Sequence, residues 1–251
     1  MDFDISHILE QWDYSPGQVV VRKFKAKDGT EKIQLRVDLG ILQMNLEGRP
    51  DGKRPLGHPS IFDFYKNKLY KHIAAHNGDD DGFELSLEDC AKLQLEALQY
   101  HHRYICLLQL DDYDRVIRDT QRNLEVFEFA EQYAEADELA WTLQQFQPQL
   151  LMIRTRALAA QELKADDFEK GIEQVDKGLE AIREFFRKTM RVELMEHSGE
   201  IQSLERWRED LLVKRPLSER EKLESALQDA IHREDYQKAA ECRDALKNLK
   251  E

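Results

Sequence analysis

The chain has 251 residues, 35% of them charged and 41% hydrophobic, and 50 acidic against 37 basic side chains leave a net charge of −13. With only 11 glycines and 6 prolines it is neither collagen-like nor a disordered low-complexity chain, and its length suits one or two domains with a sizeable core. So acidic a surface repels phosphate backbones and anionic membranes, so neither nucleic acid nor membrane is expected as a direct partner. Cys90, Cys106 and Cys242 are far apart, form no C-x-x-C pair and read as small buried thiols kept reduced. The opening MDFDISHILEQW carries acids where a secretory signal needs Lys or Arg, and no run of 18 apolar residues occurs, so a cytoplasmic location is expected.

Phe3, Ile5, Ile8, Leu9 and Trp12 share a stripe that predicts a short helix over 3–12, stopped by Ser15-Pro16-Gly17. A β-unit follows. QVVVRKFKA passes through Lys27-Asp28-Gly29-Thr30, a hairpin signal, into EKIQLRV. There Ile33, Leu35 and Val37 alternate with Gln34, Arg36 and Asp38, the pattern of a strand with one buried face. DLGILQMNLEGRPDG then reads as continuing strand, with a bulge or bend at Gly40 and a closing turn at Arg49-Pro50-Asp51-Gly52. Residues 1–57 therefore form a small α+β unit, which needs a helix or partner over its apolar face.

From Pro59 on, the periodicity is helical, with helices expected near 60–76, 86–110, 112–134, 137–163, 167–197, 200–213, 218–233 and 235–250. Leu93, Ala97, Tyr100, Tyr104, Leu107 and Leu108 form a buried stripe, while Lys92, Glu96, Gln99 and Arg103 can face water. Pro148 either opens a new helix or kinks a long one. LDDYDRVIRDTQRNL and KADDFEKGIEQVDKGL repeat at an offset of 55, pairing Asp111/Asp166, Asp112/Asp167, Tyr113/Phe168, Ile117/Ile172 and Leu124/Leu179. The second aspartate of each can cap the following helix while the aromatic packs back, which describes two stacked helical hairpins. These hairpins loosely resemble the tetratricopeptide class, without its 34-residue period or its W-L-G-Y signature, so a solenoid-like helical repeat is what they imply. The expected fold is mainly α: an antiparallel bundle or solenoid over 58–213, the small N-terminal sheet, and a helical hairpin over 214–251.

That last hairpin carries the most specific signal. Ser218 and Glu221 make a capping box, Leu223, Ala226, Leu227, Ala230 and Ile231 form the inner face of one helix, and Asp235 caps the next. There Tyr236, Ala239, Ala240, Arg243, Leu246 and Leu249 share a side, the paired alanines allowing close approach. Leu223, Ala226-Leu227, Ala230, Glu234-Asp235-Tyr236, Ala239-Ala240 and Arg243-Asp244 resemble the UVR motif, the helical hairpin shared by UvrB and UvrC of bacterial excision repair and by some Clp-type ATPases and their adaptors. The resemblance implies a protein-docking element that pairs with a like hairpin. It does not carry over the repair activities, because no helicase, nuclease or phosphate-loop motif accompanies it. Residues 214–251 hold nine basic and nine acidic side chains, an alternation suited to helix pairing. Tyr236, Ala239, Ala240, Arg243, Asp244 and Leu246 are the expected contact set, for a protein partner or a second copy of the chain; the strand VVVRKFKA offers a further self-pairing edge.

Other candidates are weaker. Asn77, Asp79, Asp81, Gly82 and Glu88 fit positions 1, 3, 5, 6 and 12 of an EF-hand loop, although Glu84 stands where a hydrophobic residue belongs and an acidic turn before Ser86 explains the same letters. His72 and His76 with Asp80, and His101-His102 with Cys106, have metal-compatible spacing; Ile73 replaces the glutamate of H-E-x-x-H. Arg49, Lys53 and Arg54 sit on a glycine- and proline-rich turn that could hold an anion. No G-x-S-x-G elbow or cysteine-protease signature occurs, so a non-enzymatic adaptor without cofactor is expected, with an accessory factor of nucleotide excision repair and a metal-dependent protein using residues 72–88 as alternatives.

Overall fold

The computed structural model describes residues 4–249, and it divides into two compact units, residues 1–206 and 207–251. Phe3 and Lys250, which the sequence reading included in helices, and Glu251 of the hairpin segment lie outside the described residues. The fold is mainly α with a small antiparallel sheet, as the periodicity implied.

In the first unit a single turn of helix, α1 (Ser6–Leu9), is much shorter than the expected 3–12; the Asp4 carboxylate accepts from the Ser6 amide at its start. Strands β1 (Val20–Lys25), β2 (Glu31–Val37) and β3 (Gly40–Asn45) form a sheet in the order β1-β2-β3. The first connection is the Asp28-Gly29 turn, with Gly29 at φ +85°. The second corrects the reading of one continuing strand. Val37 pairs with Gly40, so the chain reverses at Asp38-Leu39, and Gly40 opens β3 instead of bending a longer strand. A further correction concerns the sheet faces. Ile33 is buried toward the helices, but Gln34 and Arg36 on the opposite face are buried too. The N-terminal segment covers them: Arg36 Nε donates to the Trp12 carbonyl at 2.9 Å, and the Arg22 guanidinium lies 4.2 Å from the Trp12 ring centroid.

The helices are α2 (Ile61–Ala75), α3 (Leu87–Gln109), α4 (Tyr113–Tyr133), α5 (Asp137–Gln144), α6 (Gln147–Lys164), α7 (Phe168–Lys188) and α8 (Gly199–Lys214). Ser60 caps α2, and Ser86 with Asp89 makes a capping box on α3. α3 packs on α4, α4 on α6, and α6 on α7, an array of stacked antiparallel hairpins. Ile33 and Met44 of the sheet and Leu46 just beyond it share one hydrophobic core with Leu93, Leu107, Val126 and Leu150 of the helices.

Two expected helices differ in extent. The 137–163 helix is two, because Pro148 starts α6 in its first turn. The 167–197 helix stops at Lys188, where Met190 takes φ +55°, its amide donates to the Arg187 carbonyl and that of Arg191 to the Phe186 carbonyl. This is a Schellman termination without its usual glycine. α6 and α7 approach closely at Gly178, where a β-carbon would collide with the Thr155 side chain.

Glu96 and Arg103, expected to face water, are each 1% exposed. Both are compensated. Glu96 accepts from the Ile61 and Phe62 amides at 2.8 and 3.1 Å, the positive end of α2, and pairs with Arg122 and with Arg49. Arg103 makes a two-pronged pair with Asp119 at 2.6 and 2.8 Å and donates to the Asn45 and Gly48 carbonyls. This network ties the 45–51 loop to α3 and α4.

The second unit contains the closing helices α9 (Glu219–His232) and α10 (Tyr236–Asn248), packed against each other as a hairpin.

Candidate functional site

Local chemistry builds the α9–α10 hairpin residue by residue. Ser218 Oγ accepts from the Glu221 amide and Glu221 returns its carboxylate to the Ser218 amide at 2.7 Å, both halves of the expected box. Those bonds and Arg215 hold the Glu221 carboxyl below its usual range. α9 ends with Glu234 at φ +58°; the Glu234 amide donates to the Ile231 carbonyl and the Asp235 amide to the Ala230 carbonyl. Asp235 then caps α10, accepting from the Lys238 amide at 3.1 Å.

The same turn joins the two earlier hairpins. Asp111 and Asp166 have φ of +54° and +58°, the amides of Asp112 and Asp167 reach back to Leu107 and Glu162, and the aromatics Tyr113 and Phe168 begin the next helix as Tyr236 does. Asp167 caps as expected, but Asp112 does not: its carboxylate pairs with Arg115 at 2.8 Å and Lys23 at 3.5 Å. The sequence reading found the first two copies of this turn and missed that Glu234-Asp235-Tyr236 is a third; the shared pattern of two acids then an aromatic was the available signal.

Inside the hairpin, Ala230, Ala239 and Cys242 are buried, and Leu223, Ala226, Leu227 and Leu246 are half-buried. Small side chains at Ala230 and Ala239 let the helices close together. The expected contact set is thereby divided. Ala239 faces into the hairpin and is withdrawn from the outer surface; Ala240 and Leu246 are half-buried; Arg243 and Asp244 are exposed and pair with each other at 3.0 Å; Tyr236 is 73% exposed. Ile231, assigned to the inner face, is instead 56% exposed. Leu223, Ala226, Leu227 and Ala230 already complete one helical stripe, so the next position is turned to the flank. Ile231 and Tyr236 thus stand exposed on either side of the turn.

This segment has a known counterpart. Residues 218–251 match the UvrB/uvrC motif. The UVR motif spans 34 of the 251 residues, and it names this hairpin, an interaction element, and not the chain as a whole. No curated protein and no solved structure matches the chain.

The remaining candidates do not assemble. Among the described residues, the one group of three His, Cys, Asp or Glu side chains close enough to share an ion is Asp79, Asp80 and Asp81. Glu88 is outside it and pairs with Lys92 at 2.8 Å, while Leu85 bridges to Ala134 at the end of α4, so Asn77, Asp79, Asp81 and Glu88 do not form an EF-hand ligand set. The Asp80 carboxylate accepts from Tyr133 Oη at 2.7 Å, and Asp79 accepts from the Asp81 amide, the bonds of an acidic turn. His72 and His76 stack at 4.0 Å, but His72 Nε2 is bonded to the Asp81 carbonyl and His76 Nδ1 to that of His72. His101 Nδ1 is bonded to Tyr104 Oη, and burial pushes the Cys106 thiol up to about 12, far from the thiolate a metal needs. In the 49–54 turn, Arg49 points inward to Glu96 while Lys53 and Arg54 are exposed, so the three do not gather around an anion and the turn is an exposed connection. No helix of the described residues is long and apolar enough to cross a membrane.

Proposed function

We propose that this chain is a non-enzymatic adaptor that captures a protein through the UVR hairpin, using the outer face around Tyr236, Ala240, Arg243 and Ile231 against a like hairpin on the partner. One observation carries the reading: the hairpin buries the small residues Ala230, Ala239 and Cys242 between its helices yet leaves Tyr236 73% and Ile231 56% exposed beside the turn. The array of helices in the first unit serves as the scaffold that presents it. The equal numbers of acidic and basic side chains over 214–251 suit pairing between helices better than attraction to a phosphate backbone.

The match to the UvrB/uvrC motif favours a second, narrower reading, in which the partner is UvrB or UvrC and the chain is an accessory factor of nucleotide excision repair. Purified full chain, its Ala240→Glu variant and its Tyr236→Ala variant, each tested for binding to purified UvrB, to purified UvrC and to themselves by sedimentation, separate the two. Capture lost in both variants with helicity and melting kept supports docking by the outer face. Failure of both repair subunits to bind removes the repair reading alone; unaltered capture by both variants removes the adaptor reading, and collapse of the Ala240→Glu fold places that face in a core.

A further inference from the structure

The elbow between α5 and α6 opens a cavity beside α3. α5 is held to α3 where Gln94 Nε2 donates to the Thr142 carbonyl at 3.0 Å, but the chain turns at Gln145-Phe146 before Pro148 starts α6. The space left between α3, the elbow and Phe127 of α4 has a volume of about 220 Å³. An apolar cavity of ~150 Å³ suffices to bind benzene, so this one has room for a larger ring system.

Its lining is unlike the rest of the molecule. In a chain with 35% charged residues, not one Asp, Glu, Lys or Arg contributes to the wall. The polar groups there are mostly committed: Asn123 Nδ2 donates to the Ala97 carbonyl and its Oδ1 accepts from Arg122. His101 is different. With the ring proton assigned to Nδ1, which donates to Tyr104 Oη at 2.8 Å, Nε2 is left as the acceptor for a guest's N–H or O–H. Burial and the neighbouring His102 hold His101 down to about 4, so the ring is uncharged at neutral pH. On the solvent side Leu95 is 66% exposed, and Leu98 and Phe146 are each 48% exposed.

We propose that this cavity binds a small uncharged aromatic molecule, of one ring or two fused rings, whose single hydrogen-bonding group reaches His101 Nε2. Size follows from the volume. Neutrality follows from the wall, because an ion moved here would lose its hydration and gain no countercharge. α3, α4 and the elbow wall the site, and a guest seated there covers Leu95, Leu98 and Phe146 where they now meet water. The site is independent of the UVR hairpin.

The test uses the full chain with indole as the uncharged probe, indole-5-carboxylate as the charged one and 1-methylindole, which lacks the N–H, followed by calorimetry and NMR. Indole is expected to bind saturably with a dissociation constant on the order of a millimolar or below, and the carboxylate at least about tenfold more weakly. Leu98→Trp, at a half-exposed position, should weaken indole by about tenfold or more with helicity unchanged. His101→Phe should weaken indole and leave 1-methylindole unaffected. Indole that fails to saturate, that binds Leu98→Trp as well as wild type, or that binds no better than its carboxylate overturns the proposal. So does loss of protein capture on Leu95→Glu in a chain that binds no indole, which makes the groove a protein interface instead.

Discussion

Truncating Tyr236 separates docking from folding most cleanly. A tyrosine presents about 200 Å² of side-chain surface. Since Tyr236 is 73% exposed, about 150 Å² of it is open to a partner. At about 25 cal/mol per Å², covering all of it contributes at most about 3–4 kcal/mol, and interface anchors of this type cost about 2 kcal/mol or more when cut to alanine. Tyr236→Ala should therefore weaken partner binding by about 30- to 500-fold. Its cost to the chain's own stability should stay below about 0.5 kcal/mol, because the ring is mostly in water and alanine is the better helix former. Ala239→Leu is the internal control: its methyl is buried between α9 and α10, so overpacking should cost about 1–3 kcal/mol and impair binding by distorting the hairpin. Calorimetry against an immobilisable UVR-bearing partner, with urea unfolding followed by circular dichroism, measures both quantities. Unchanged binding by Tyr236→Ala together with a lowered urea midpoint would refute the reasoning, since it would make the ring a folding residue.

Asp119→Asn should destabilise the chain by about 3–5 kcal/mol in urea unfolding, because the guanidinium of Arg103, 1% exposed, is left without its countercharge; a loss under about 1 kcal/mol would show water reaching the pair. His101 has its folded pKa depressed from 6.5 to about 4, so between those values the unfolded chain binds the proton and the folded one does not. Stability should therefore fall as pH drops from about 6.5 toward 4, by an amount on the order of 2 kcal/mol after allowing for partial exposure, and His101→Phe should flatten that part of the profile. Calcium should not raise the melting temperature, nor chelator lower it, by more than about 1 °C, because ligand-linked stabilisation requires a site that the 77–88 turn does not assemble. Glu234→Gly should raise hairpin stability by about 0.5–1 kcal/mol, read as a higher urea midpoint, since glycine takes φ +58° without strain.

What the sequence makes readable is local. The helix start at Ser86, the capping box at Ser218, the Asp235 cap and the glycine turn at Gly29 each depend on residues a few positions apart, and all stand in the structure. What it hides is compensation at a distance. Periodicity assigns Glu96 and Arg103 to water because charge ordinarily goes there, yet their partners come from α4, from the start of α2 and from the 45–48 loop, up to 58 residues away. Helix ends fail for a related reason: α7 terminates at Met190 in a conformation that the sequence signals only through glycine or asparagine. In the candidate site the hairpin and its caps were readable, whereas the inward turn of Ala239 and the outward turn of Ile231 depend on which half of a wide apolar stripe meets the other helix.

The three repeated turns give the docking proposal an internal standard. Tyr113, Phe168 and Tyr236 occupy the same place, first in the helix after a left-handed acid and an aspartate. In the first unit neighbouring elements shelter that aromatic: Tyr113 packs against the core with the Lys164 ammonium 4.5 Å from its ring, and both Tyr113 and Phe168 are half-buried. Burial also pushes the Tyr113 phenol up to about 12, with its Asp111 bond adding to the shift. Tyr236 follows the same turn and is open to water. A turn that elsewhere in this chain delivers an aromatic into a stack of helices delivers it here to a surface that another hairpin can cover.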